Sequence, residues 1–103
     1  MAFILVYITH KNKADARKVV SHLLKKKIIA CANVFPIESS YWWNGRIERA
    51  KEVVTIVKTR KENWEKMKSE VERIHPYDIP CIMKLGAEAN TPYESWIRRE
   101  ARR

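Results

Sequence analysis

The sequence predicts an α+β fold whose elements run βαββαβ, with one more helix at the C-terminal end. Three observations predict it. The chain begins with an apolar run, Phe3-Ile4-Leu5-Val6-Tyr7-Ile8. An Asn44-Gly45 pair sits between two long β-prone stretches. Two further segments, around Val19 and Met67, repeat apolar residues at helical spacing. The 103 residues read as one domain, 1–103. A hydrophobic content of 46% allows a core without disulfide or metal staples. A chain this short nevertheless buries only about two-thirds of its unfolded surface, so assembly with copies of itself would help it.

Residues 3–9 form the first strand, apolar on both faces as a central strand under helices should be. Asn12 caps an amphipathic helix in which Ala16, Val19, Val20, Leu23 and Leu24 make the apolar stripe, ending near Lys27. A second strand runs from Ile28 to Trp43 and a third from Arg46 to Thr59. Asn44-Gly45 turns between them, because both turn residues must accept positive φ. Each of these strands spans about 15 residues, where strands commonly have about 5 or 6. Pro36 donates no ladder hydrogen bond, so it marks a bulge or an edge position. A hairpin that overhangs its own sheet leaves unpaired backbone groups that need a partner.

Trp64, Met67, Val71 and Ile74 define a second amphipathic helix, with Glu62 and Lys66 as an i,i+4 pair; it stops before His75-Pro76. Cys81-Ile82-Met83-Lys84-Leu85 is a fourth strand. In Thr91-Pro92-Tyr93-Glu94, Thr91 caps a last helix, Pro92 takes its first position and Glu94 completes a capping box. The first six elements are the ferredoxin-like split βαβ sandwich, here with a C-terminal helix and a long hairpin between the second and third strands. Helices cover one face of the antiparallel sheet, and the other face needs covering too.

The net charge is +9, from 21 Lys and Arg against 12 Asp and Glu. Its densest clusters are Lys25-Lys26-Lys27 at a helix end and Arg98, Arg99, Arg102 and Arg103 near the C-terminus, where helix dipoles favour cations anyway. The charge reads as solvated surface rather than as a polyanion site. The N-terminal apolar run is too short to span a membrane and no basic region precedes it. Cys31 and Cys81 form no C-x-x-C pair and read as reduced, buried residues of a cytoplasmic protein.

Three blocks stand together: Ile29-Ala30-Cys31-Ala32-Asn33-Val34, Tyr41-Trp42-Trp43-Asn44-Gly45-Arg46-Ile47 and His75-Pro76-Tyr77-Asp78-Ile79-Pro80. Lys51-Glu52-Val53 and Lys58-Thr59-Arg60 lie between the last two. In this order and spacing the chain resembles the CutA family of divalent-cation-tolerance proteins over nearly its whole length. The resemblance implies a ferredoxin-like fold and a homotrimer in which the long hairpin pairs with a neighbouring subunit. It also implies a link to copper and other divalent ions, and a likeness to the trimeric PII-type signalling proteins. It implies no enzymatic activity. His75 matches the histidine that some members use for copper. A second histidine found before it in some bacterial members is Ile74 here, and a first-strand cysteine proposed as a ligand falls on Ile8.

The residues themselves also make His75 the best metal candidate, since imidazole suits Cu²⁺ and Zn²⁺, and Asp78 can add a carboxylate. A closed site takes about four ligands, so a neighbouring subunit or water would supply the others. The competing role for His75 is to cap the preceding helix and bond within its turn. His10, placed in the strand–helix loop, and His22, flanking the helical stripe, read as surface residues without a ligand. Tyr41-Trp42-Trp43 read as interface packing at the hairpin tip.

Three other functions share this element order. An RNA-recognition domain needs stacking aromatics on its third strand, which here reads Val53-Val54-Thr55-Ile56-Val57-Lys58-Thr59. A ferredoxin-like copper chaperone needs paired thiolates in the first loop, which reads Thr9-His10-Lys11-Asn12. A hydrolase needs a nucleophile–base spacing or a glycine-rich phosphate loop, and none stands out. The expectation is a cytoplasmic homotrimer, not an enzyme, that acts in divalent-metal tolerance or in related ligand sensing. It requires no cofactor, its partner is itself, and Cu²⁺ is the favoured ion. The alternative is a nucleic-acid-binding ferredoxin-like domain.

Overall fold

Alternation decides which way the first strand faces. In β1 (Phe3–His10), Ile4, Val6, Ile8 and His10 turn to one side and are buried, while Leu5, Tyr7 and Thr9 on the other side stay half-exposed. The computed structural model describes residues 3–102. After β1 come α1 (Lys13–Lys25), β2 (Cys31–Trp43), β3 (Arg46–Arg60), a 3₁₀ turn (Lys61–Asn63), α2 (Trp64–Ile74), β4 (Ile82–Ala87) and α3 (Thr91–Glu100). The four strands make one antiparallel sheet in the order β2-β3-β1-β4. With α1 and α2 on one face, this is the ferredoxin-like βαββαβ arrangement.

The core lies between that face and the two helices. Val19 and Leu23 of α1 and Met67 and Val71 of α2 pack on Ile4, Val6, Ile8 and Val57. Each such side chain removed from water contributes about 1.5–3 kcal/mol. Asn12 caps α1 as predicted, its Oδ1 accepting from the Asp15 amide at 2.8 Å.

The end of α1 differs from the prediction. Lys27 turns left-handed at φ 62°, its amide bonds to the Leu24 carbonyl at 3.0 Å, and that of Ile28 to Leu23 at 3.0 Å. This is a Schellman stop, built with lysine where glycine is usual. It delays β2 to Cys31 instead of Ile28, and Ile28 and Ile29 become core residues in the connection.

The hairpin is long, with 13 residues in β2 and 15 in β3, although β2 is three residues shorter than predicted. Asn44 and Gly45 both take positive φ, 50° and 76°, and link Trp43 to its partner Arg46 in two residues. Pro36 lies on β2, an edge strand, opposite Val53, so the edge reading holds. β1 pairs only with Val53–Arg60 of β3. Arg46–Glu52 therefore have β2 as their one strand neighbour, and with the hairpin included the molecule measures 45 × 24 × 21 Å.

Two local expectations are corrected. Glu62 does not pair with Lys66. It lies in the 3₁₀ turn, before α2 begins, and meets Arg98 of α3 at 3.2 Å. The last helix starts one residue early: Asn90 is the cap residue and Thr91 already helical. Glu94 still reaches back, accepting from the Ala89 amide at 3.0 Å. Pro92 is tolerated at the second position because the first four helical amides lack intrahelical partners.

A buried polar knot ties the ends together. The Asn63 amide nitrogen donates to the carbonyls of Ile28 at 3.1 Å and Ala101 at 3.3 Å and to Thr59 Oγ1 at 3.1 Å. Arg60 donates to the Arg98 carbonyl near the end of α3, where the helix dipole welcomes a cation. Replacing Asn63 with Ala should lower unfolding free energy by about 1–3 kcal/mol, because buried carbonyls lose their donor. Urea denaturation read by circular dichroism checks this.

Candidate functional site

His75 ends α2, where Pro76 forbids another helical turn. The side chain is 8% exposed and both ring nitrogens have partners. Nε2 lies 2.7 Å from the Thr9 carbonyl oxygen, which can only accept, so Nε2 carries the hydrogen and donates. Nδ1 accepts from the Tyr77 amide over a longer 3.2 Å. The expected bond within the turn is therefore present, together with a tie to β1.

His10 is not the exposed loop residue that the sequence suggested. It is the last residue of β1, 1% exposed, on the same face as Ile4, Val6 and Ile8. Its Nε2 meets Thr55 Oγ1 at 2.9 Å, and its ring stacks on that of His75 with centroids 5.4 Å apart. Nδ1 is buried and lacks a partner among the described residues. Burial first, and the neighbouring His75 second, push the imidazole down to about 4 from 6.5. Carrying the period of two one step past Ile8 places His10 on the buried face.

His22 also has a defined partner. Its Nε2 lies 2.6 Å from Glu70 Oε1, which further accepts from Lys26 at 2.9 Å and Arg73 at 2.6 Å. Bonding to His22, then to Lys26 and Arg73, holds the Glu70 carboxyl down at about 2. This clamp joins α1 to α2 on the far side from the sheet.

From His75 the chain crosses to the other face of the sheet. The Tyr77 hydroxyl donates to Glu52 Oε2 at 2.5 Å, and its ring meets His75 edge-on at 4.7 Å. Burial, followed by this bond to Glu52, raises the phenol well above its ordinary range, so it stays a donor. Tyr77 is one wall of an open cleft of about 860 Å³. The overhanging hairpin supplies Tyr41, Trp43, Glu48 and Glu52, and the loop supplies Asp78 and Cys81. Burial pushes the Cys81 thiol up, which disfavours the thiolate.

The open face around this cleft is apolar. Met83 and Leu85 on β4 are 51% and 52% exposed, and Trp43 at the hairpin tip is 42% exposed. Asp78 is exposed and His75 buried. Among the described residues no group of three or more His, Cys, Asp or Glu side chains is placed to hold a metal ion. No helix among them is long and apolar enough to cross a membrane.

A sequence model of the CutA1 divalent ion tolerance protein family matches residues 4–100. This chain belongs to the CutA family. It is 42% identical over 101 residues to the divalent-cation tolerance protein CutA of Pyrococcus horikoshii, covering 97% of this chain and 99% of that one. The crystal structure of the Pyrococcus horikoshii CutA1 superposes with a TM-score of 0.93, at the same coverage of both chains. The periplasmic divalent cation tolerance protein CutA of Archaeoglobus fulgidus gives a TM-score of 0.93 at 38% identity, covering 96% and 98% of the two chains. A chloroplastic CutA from Oryza sativa is 33% identical over 96% of this chain and 57% of its own length. CutA proteins are thus named from more than one compartment.

The positions where the CutA resemblance implies further ligands are core here. Ile8 is wholly buried, and Ile74 packs against the same cluster. What the sequence of this CutA chain did not give is the set of residues around the cleft, because β1, the hairpin and the 77–81 loop meet there only after folding.

His10 makes stability depend on pH. The folded state keeps it neutral, so the unfolded chain binds the extra proton. Stability is full above about pH 6.5 and falls as pH drops toward 4, by about 2–3 kcal/mol at pH 4. Replacing His10 with Gln should flatten unfolding curves across that window. Loss of the Glu70 clamp adds a separate fall below about pH 4.5.

Proposed function

We propose that this CutA chain works as a cytoplasmic homotrimer in divalent-metal tolerance, with Cu²⁺ as the ion it takes. One observation carries the reading: β2 and the outer half of β3 leave the sheet with a free edge and an exposed apolar face. Phe35, Tyr41, Trp43, Met83 and Leu85 expose apolar surface on that face, and Trp42 on the other side of the hairpin. Copies that exchange hairpins would satisfy both demands at once.

His75 is the metal ligand in this reading, through Nδ1, because its 3.2 Å bond from the Tyr77 amide is the weaker of its two. Asp78 is the second donor in reach along the chain. Since one chain offers no cluster of three donors among its described residues, a neighbouring copy or water completes the site. The reading needs no resident cofactor and includes no catalytic step. The cleft favours a second, compatible role in sensing a small ligand, after the manner of PII-type proteins. The nucleic-acid alternative has less support, because the third strand presents no aromatic ring for a base to stack on.

Calorimetric titration of Cu²⁺ tests the metal role. His75→Ala and His75→Gln, checked for folding by circular dichroism, should both weaken binding at least about tenfold, the cost typical of losing metal-site groups. Heats indistinguishable from wild type would reject His75 as a ligand.

A further inference from the structure

Most of the charge excess of the protein sits on α1 and its flanks. From Lys11 to Lys27, seven lysines and arginines stand against one carboxylate, that of Asp15, a net +6 out of the chain's +9. All seven are exposed. Among the described residues only Lys26 of these has a carboxylate partner, Glu70 at 2.9 Å. The neighbouring α2 is balanced, with three cations and three carboxylates, and its Lys68 and Arg73 pair with Glu65 and Glu70 at 3.1 and 2.6 Å.

Folding does not ask for this arrangement. The preference of a helix C-terminus for cations accounts for Lys25, Lys26 and Lys27. It does not account for Lys11 and Lys13, which flank the cap residue Asn12 at the other end of α1, where the dipole is positive and repels them. Arg17 follows Lys13 by four residues, a like-charge pair that weakens a helix further. Cations set against the local electrostatics and left without partners concentrate a negatively charged ligand.

The shape of the surface narrows the ligand. Ala16, Val19 and Leu23 turn into the core, so the cations hold the outer face. Lys13, Arg17, Ser21 and Lys25 follow one another at about 6 Å along the axis. Ala14 and Ser21, short and exposed, lie among the cations and let the helix approach closely. A helix that lies on a membrane needs a free apolar side, and here that side is buried, with Leu24 left outside. Single strands are held by stacking on aromatic rings, and no Phe, Tyr or Trp occurs between Lys11 and Lys27. A duplex backbone asks only for cations, since each strand carries one charge per about 3.4 Å. The face lies across the sheet from the apolar surface given to neighbouring copies, so such an assembly leaves it open to solvent.

We propose that the outer face of α1 binds the phosphate backbone of duplex nucleic acid, without regard to base sequence, through Lys13, Arg17, Lys18 and Lys25. This contact uses no stacking ring on the sheet, so the lack of aromatics in the third strand has no bearing on it. The inference goes beyond metal tolerance and depends neither on His75 nor on the trimer.

Fluorescence anisotropy of a labelled DNA duplex of about 20 base pairs, titrated with the full-length protein between about 50 and 200 mM salt, tests it. Affinity should fall with salt along a log–log slope of about −3.6, the value for four phosphate contacts. Lys13→Gln and Arg17→Gln should each weaken binding several-fold and reduce the slope by about 1. Lys66→Gln, which removes the same charge from an exposed site on α2, should leave the slope as it is. Phosphatidylserine vesicles at equal phosphate concentration should not displace the duplex. Absence of binding at the lowest salt would overturn the proposal, as would a slope unmoved by both α1 variants, an equal loss in Lys66→Gln, or displacement by the vesicles. A null Cu²⁺ titration or a monomer in solution would leave it standing, so the readings fail separately.

Discussion

The pairing of β2 with β3 is the interaction on which the rest depends. β1 can serve β3 only from Val53 to Arg60, and the hairpin continues well past that point with a single neighbour. Its length brings Tyr41, Trp43, Glu48 and Glu52 out over the loop that follows α2, which creates the cleft. The same length leaves backbone edges and large apolar side chains facing outward. A free sheet edge is a template for another chain. The cleft and the demand for partners are thus two consequences of one geometric excess.

The stability of the lone subunit is concentrated on the opposite face. There Ile4, Val6 and Ile8 meet both helices, the Glu70 clamp joins α1 to α2, and Asn63 ties the inner connections to the C-terminal helix. His10 and His75 stand where these two halves of the molecule meet. His10 is held neutral beneath the helices, while His75 grips the end of β1 with one nitrogen and starts the cleft loop with the other. A change at His75 therefore touches packing as well as any ligand, which is why folding must be followed alongside binding.

Much of this was legible from local chemistry. Asn44-Gly45 specified a two-residue turn, Asn12 a helix start and Pro36 a bulge or an edge position, of which the edge is found, and each does so for a steric or hydrogen-bonding reason that holds in any context. The misses have physical causes as well. Lys27 adopts a left-handed stop that its residue type does not advertise, so β2 begins later than Ile28. Glu62 meets Arg98, 36 residues away, rather than the nearby Lys66. His10 falls inside β1 rather than in the loop after residue 9, because the strand's alternation continues one more step and turns it to the core. The rigid loop between Pro76 and Pro80 pointed to a cleft near His75, but its other walls were out of reach, since they come from separate segments and no local pattern records their meeting. His75 stands at a junction, and its two hydrogen bonds, one to Thr9 across the fold, could not be read from spacing.

In the proposed homotrimer the hairpin, which outgrows its own sheet, is completed by copies of the same chain. Sedimentation equilibrium over a wide concentration range tests it most directly. The account predicts a species three times the 12.2 kDa chain, persisting down to micromolar protein. A folded 12.2 kDa species at those concentrations, with Trp42 and Leu85 still open to water, would contradict it.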